Sequence, residues 1–240
     1  MPAPTLVLLP GLDGTGDLFA PFVAQLRGIE TVVVRYPGDR YLDVAAQAER
    51  AVATLNGRSD LILLGESYSG RVAIEVSRRI PNAIRGFVFT ASFLSNPAPL
   101  PAWTAATLAD ALFRLPLPDA AVRAMLAGGD APDTLVHEVQ AAVRSVAPEV
   151  FAARVRDVLR STPPDPRGVP RVPTLYLAGR ADRLVATRSV QDFRDLGLDV
   201  EVATLDAPHL LLQRAPEATG ERLAAFLAAL PADPQFPSTI

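Results

Sequence analysis

The chain has 240 residues, 49% of them hydrophobic, a formal net charge of −3, no cysteine and two histidines. That composition supports a large core and excludes global disorder, and the acidic balance argues against nucleic acid as the main partner. Without cysteine there are no disulfides, thiolate nucleophiles or cysteine metal sites, and two histidines alone make a multi-histidine zinc site, or any metal site, unexpected.

In chain order, "TLVLL" from Thr5 is a short apolar run and reads as a strand. The leading "MPAPTLVLLPGL" lacks a basic start and has too short an apolar run for a signal peptide. "FAPFVAQL" from Phe19 has helical spacing, and "ETVVVR" over Glu30 to Arg35 is β-branched and strand-like. Leu42 to Leu55 reads as a helix, Leu61 to Leu64 as a strand, Tyr68 to Ile80 as a helix and Ile84 to Ala91 as a strand. After a break come a strand over Val172 to Ala178, a helix over Thr187 to Leu196, a strand over Val200 to Leu205 and a helix over Glu217 to Leu230. The tail "PADPQFPSTI" is expected to be loosely ordered.

Six apolar strands alternating with helices predict an α/β fold: a doubly wound, mainly parallel sheet covered on both faces. The break runs from Asn96 to Asp165, between the proline-rich "NPAPLP" and "TPPDPRGVPRVP". It holds helical patterns near Trp103 to Leu115, Pro118 to Leu126, Asp133 to Ser145 and Pro148 to Leu159. The expected division is a core of residues 1–95 and 166–240, with residues 96–165 a helical cap before the last two strands. No apolar stretch is long enough to span a bilayer. A soluble cytoplasmic protein, away from membranes and a monomer or weak dimer, is the expectation.

Chemistry in such sheets gathers at the carboxyl ends of the strands. There the sequence reads "GESYSG", with Ser67 where a strand stops and a helix starts. One reading is a helix N-cap. The other is a nucleophile on a tight G-x-S-x-G turn, here with Ser69 in place of the second glycine and Gly70 behind it. A serine nucleophile needs a base, and a base needs an orienting carboxylate. His137 falls inside a helical pattern, whereas His209 follows the last strand in "LDAPHLLLQ". Asp182, in "YLAGRADRLV" after the preceding strand, is the carboxylate candidate, and Asp206 is its rival. An oxyanion also needs two backbone donors. Tyr68 follows the serine directly, and Leu12, with Asp13 as second choice, lies in the glycine-rich "LPGLDGTGD". That run lacks the spacing of a dinucleotide loop and the lysine of a phosphate loop. Oxyanion loop, serine, aspartate and histidine thus follow one another, each after a predicted strand.

In "LPGLDGTGDLFAPF", "GESYSG", "GRADRLV" and "APHLLLQ" the chain resembles the α/β-hydrolase superfamily over almost its whole length. Within it, the chain is similar to small capped bacterial serine hydrolases and to the pimeloyl-[acyl-carrier-protein] methyl ester esterase group. The oxyanion loop of that family usually begins His-Gly, whereas this one has Pro10-Gly11. The resemblance implies a carboxylic-ester hydrolase with Ser67, Asp182 and His209 as the catalytic triad, an acyl-enzyme intermediate, and neither cofactor nor metal. A thioesterase or acyltransferase with the same triad, and a non-catalytic binding protein of the same fold, are the alternatives. A haloalkane dehalogenase would need an acid where Ser67 stands. A small-molecule ester with an apolar acyl group is the expected substrate, with Phe93, Leu94, Trp103, Phe113, Phe151 and Leu210 as candidate pocket residues. All 23 basic residues are arginine. Arg114, Arg123, Arg144, Arg154, Arg156 and Arg160 of the cap form either a docking site for an acidic acyl carrier protein or a solvated helix surface, the latter being the simpler reading.

Overall fold

The computed structural model describes residues 4–97 and 117–231. Its centre is a six-stranded sheet in the order β2-β1-β3-β4-β5-β6. The strands are β1 (Thr5–Leu9), β2 (Thr31–Val33), β3 (Leu61–Glu66), β4 (Ile84–Thr90), β5 (Thr174–Gly179) and β6 (Val200–Leu205). Every neighbouring pair is parallel. This is the fold class that the alternation of runs predicts.

The strand sequences explain the layering. In β3, Leu61 and Leu63 point to one face and Ile62 and Leu64 to the other, and both sets are buried. The first face packs with Val7, Leu9, Phe87 and Phe89 against α2 (Val44–Leu55) and α3 (Ser69–Arg79), and against Phe193 of α7 (Val190–Asp195). The second packs with Leu6, Leu8, Val88 and Leu177 against Phe22 of α1 (Ala20–Val23) and against Leu223 and Phe226 of α9 (Pro216–Ala229). The outer strand β6 is buried at Val200, Ala203 and Leu205 and exposed at Glu201 and Thr204, as suits a strand at the sheet edge.

β2 is shorter than the run from Glu30 to Arg35 suggests. Past Val33 the Tyr36 N–H turns to the Gly14 carbonyl, 2.8 Å away, and Arg35 reaches out to Asp17 at 2.7 Å. Val34 still donates to the Leu8 carbonyl of β1 at 3.0 Å, but the glycine loop, not a neighbouring strand, takes Arg35 and Tyr36.

Between β4 and β5 the described residues form helices alone: α4 (Asp119–Val122), followed by a wider π-helical stretch over Arg123–Ala127, then α5 (Asp133–Arg144) and α6 (Pro148–Arg160). The expected helix over Trp103 to Leu115 and most of the expected loose tail lie outside the described residues. Val122, Val136, Val139 and Leu210 share a separate small core, so the insert is anchored to the sheet side through Leu210. At its neck, the Asn96 N–H donates to the Ser161 carbonyl and its side-chain amide to the Leu159 carbonyl, each at 3.1 Å. Chain exit and return are thereby held side by side. One short helix, α8 (Leu211–Arg214), has no counterpart in the sequence reading. Four residues are too few to display a period. Among the described residues no helix is long and apolar enough to cross a membrane.

Phe193 is fully buried, with its ring centroid 4.2 Å from that of Phe89 and 5.5 Å from that of Tyr176. Phe193→Ala is expected to cost about 3–5 kcal/mol of stability, read from urea unfolding. A loss below about 1 kcal/mol would show that this face closes over the gap.

Candidate active site

Strand β3 ends at Glu66 and α3 starts at Ser69, which leaves a two-residue elbow. Ser67 sits there with φ at 50°, the left-handed region that a serine rarely adopts. Its N–H donates to the Thr90 carbonyl at 3.0 Å, and its carbonyl accepts from the Ser92 hydroxyl at 2.7 Å. Tyr176 in turn holds the Ser92 carbonyl at 2.7 Å. The strain is thus locked from β4 and β5. A Cβ on Gly65 would stand 2.9 Å from the Ser69 carbonyl oxygen, and one on Gly70 would stand 2.2 Å from the Ser92 hydroxyl. At both of these elbow positions a side chain has no room. Ser69, in the place of the pattern's second glycine, has a different use. Its hydroxyl donates to the Pro10 carbonyl and accepts from the Tyr36 hydroxyl at 2.7 Å.

Asp182 and His209 come from the ends of adjacent strands. The Arg180 N–H donates to the Leu205 carbonyl and the Ala181 N–H to the Ala207 carbonyl, so the two loops continue the pairing of β5 with β6. The Asp182 Oδ1 accepts from the N–H groups of Leu184 and Val185 at 2.8 and 3.0 Å. Its Oδ2 lies 2.9 Å from His209 Nδ1, and His209 Nε2 lies 3.0 Å from Ser67 Oγ. With the ring proton on Nδ1, the imidazole donates to Asp182 and accepts from Ser67. Both the carboxylate and the ring are almost fully buried. The rivals lie elsewhere: His137 is exposed on α5, and Asp206 is exposed past β6. Arg183 turns to the Ala124 carbonyl.

Leu12 and Tyr68 both line the cavity at Ser67. Around Leu12 the loop is braced group by group. The Gly14 N–H closes a turn onto the Gly11 carbonyl at 3.1 Å, and Ser69 holds the Pro10 carbonyl. Glu66 is buried beside Gly11, whose N–H favours its ionised form, and its Oε1 accepts from the Gln213 amide at 3.0 Å. Arg154 of α6 supplies the rest. Its Nη1 donates to the carbonyls of Leu12 at 3.0 Å and Asp13 at 2.7 Å, and its Nη2 donates to that of Pro37 at 2.7 Å. A Pro-Gly loop start therefore keeps its bracing without the usual histidine.

This corrects the sequence reading of Arg154, which is neither solvated nor available for docking: it is fully buried. A signal was present. Arg154 stands four residues after Val150, three after Phe151 and four before Val158, a cation on the apolar stripe of its helix. Of the other insert arginines, Arg144 and Arg160 are exposed and Arg123 pairs with Asp133. Arg114 lies outside the described residues.

The cavity has a volume of about 260 Å³. Phe93, Phe151 and Leu210 line it, joined by Leu126, Val139 and Val158 from the insert, none of which the sequence reading named. Leu94 is a second correction. It is fully buried and packs in the sheet core with α3, one residue out of phase with Phe93. Trp103 and Phe113 lie outside the described residues. Among the described residues no group of three histidine or acidic side chains is arranged to hold a metal ion.

A parallel sheet carrying a strained serine elbow, with imidazole and carboxylate arriving from later strand ends, defines a recognisable architecture. Residues 6–222 match the alpha/beta hydrolase family, and the chain belongs to that family. Solved structures share the fold. A hydrolase from Oleispira antarctica superposes with a TM-score of 0.77 at 14% identity, covering 94% of this chain and 91% of its own. A thermophilic esterase from Thermogutta terrifontis gives 0.77 at 17%, covering 94% and 89%. The enol-lactonase from Burkholderia xenovorans gives 0.76 at 17%, covering 94% and 92%. No curated protein matches the sequence significantly.

Burial pushes the Glu66 carboxyl up to about 7, with the nearby Asp13 charge adding to the shift and Gln213, His209 and the Gly11 N–H opposing it. A pKa raised on folding means that between about 4.5 and 7 the folded chain holds a proton the unfolded chain has lost. Stability then falls as pH rises through that window, by an amount on the order of 3 kcal/mol. Glu66→Gln is expected to flatten this slope in unfolding curves taken from pH 4.5 to 8. An unchanged slope would remove Glu66 as its source.

Proposed function

We propose that the chain is a serine hydrolase that cleaves a carboxylic ester with an apolar acyl group. The observation that carries this reading is the continuous hydrogen-bonded run from Ser67 Oγ through His209 to Asp182, with links of 3.0 and 2.9 Å, at the wall of a mainly apolar cavity.

In the first half-reaction Ser67 Oγ attacks the ester carbonyl carbon while His209 Nε2 takes its proton. Asp182, held by two backbone donors, stabilises the imidazolium and fixes the ring. The oxyanion is received by the N–H groups of Leu12 and Tyr68. Collapse of the tetrahedral intermediate expels the alcohol, which takes its proton from His209, and leaves the acyl group on Ser67. Water then adds with His209 as base, and the acid departs. None of these steps calls for a cofactor or metal. The esterase and lactonase of like fold agree with this chemistry. Phe93, Phe151 and Leu210 favour an apolar acyl chain.

The test is a panel of p-nitrophenyl esters of increasing acyl length on wild type and Ser67→Ala. The expected result is hydrolysis that improves with chain length up to the size of the cavity, and a loss of about 10⁴-fold or more in kcat for the variant. A fluorophosphonate should label wild type alone. Equal hydrolysis by both proteins would end this reading. Faster turnover of matched thioesters, or transfer to an added alcohol in preference to water, would redirect it to a thioesterase or acyltransferase.

A further inference from the structure

The guanidinium of Arg154 is out of place for a surface helix. It is completely buried, its ring neighbour is Tyr36 at 5.8 Å, and its two Nη groups donate to three backbone carbonyls, those of Leu12, Asp13 and Pro37, while its Nε has no hydrogen-bond partner among the described residues. Taking a cation out of water costs several kcal/mol unless acceptors replace the lost hydration. An apolar side chain would fill the same space without that cost. What the guanidinium does that an apolar side chain cannot is hold the peptide groups that follow Leu12 on the loop.

The rest of the loop is pinned from other directions. Ser69 holds the Pro10 carbonyl, the Gly14 N–H holds the Gly11 carbonyl, and the Tyr36 N–H holds the Gly14 carbonyl. Without Arg154 the peptide group on the far side of Leu12 has no partner among the described residues. The direction of the Leu12 N–H is set by the peptide groups on either side of it. Resting on the ester-hydrolase reading above, we propose that Arg154 is a positioning residue: a buried strap from the helical insert that orients the Leu12 amide toward the oxyanion. The same face of α6 carries Phe151 and Val158 into the cavity wall. One helix therefore contacts the acyl chain and aims the oxyanion donor, so the insert takes part in the chemical step as well as in substrate binding.

Lysine cannot reproduce this arrangement. A guanidinium fork reaches carbonyls on two sides, whereas an ammonium is a single point. The experiment compares wild type, Arg154→Lys and Arg154→Met, with Ser67→Ala run in parallel. Steady-state kinetics use the best p-nitrophenyl ester. Binding is measured for an alkyl trifluoromethyl ketone, to which Ser67 adds to form an oxyanion-bearing hemiketal, and for the matching secondary alcohol, which bears no oxyanion. Expected for Arg154→Lys is a fall of about 10- to 100-fold in kcat, less than the 10²–10³ for outright loss of a donor, with KM within threefold. Affinity for the trifluoromethyl ketone should fall by the same factor and that for the alcohol should stay put. Arg154→Met should show a larger loss of the same kind.

A merely structural role would lower Tm without separating the two ligands. Three results overturn the proposal: folded variants within threefold of wild type in kcat, equal losses for ketone and alcohol, or failure of both variants to fold, which would make Arg154 a general element of the fold. If Ser67→Ala retains full activity, the hydrolase reading itself falls. If it is inactive and Arg154→Lys is unaffected, only the strap falls.

Discussion

The left-handed turn at Ser67 is the constraint that the rest of the site answers to. A serine at that φ is unfavourable by about a kcal/mol or more, and the chain holds it with a network of bonds from β4 and β5. The Thr90 carbonyl takes its N–H, Ser92 takes its carbonyl, and Tyr176 fixes Ser92. Thr90 ends β4, Ser92 follows it and Tyr176 lies within β5; β4 pairs in parallel with β3 on one side and with β5 on the other. The same pairing, carried on into β6, delivers Asp182 and His209 to the same rim. Sheet register and site geometry are one arrangement.

Much of this was legible in the sequence, because its causes are local. Apolar runs such as Thr5 to Leu9 and Val200 to Leu205 coincide with β1 and β6 to the residue. Ser67, Asp182 and His209 could be singled out by their places after strands, and the structure brings all three within hydrogen-bond distance. What could not be read depends on three-dimensional neighbours. Leu94 and Phe93 are adjacent apolar residues; only the packing says that one enters the core and the other the cavity. Ser69 looked like a weakened glycine until Pro10 and Tyr36 appeared beside its hydroxyl. Arg154 is the clearest case: its carbonyl partners lie more than a hundred residues away in sequence.

A second theme is charge held in dry places. Glu66 lies beside Gly11 and Arg154 at the Leu12 and Asp13 carbonyls, both buried, and the Asp13 charge acts on each. Gln213 reaches across to Glu66, and its amide also donates to the Leu18 carbonyl at 3.2 Å. α8, which carries Gln213 just after His209, therefore ties the histidine loop to the end of β3 and to Leu18.

The double hydrogen bond from Asn96 to residues 159 and 161 has a consequence for how the molecule tolerates change. Closing a longer excursion costs chain entropy that grows only with the logarithm of its length. Once the neck is tied, the connections between the helices beyond it can lengthen or shorten with little penalty to the sheet beneath. The helix that carries Arg154 is the exception, because its guanidinium is bonded to the Leu12, Asp13 and Pro37 carbonyls below it.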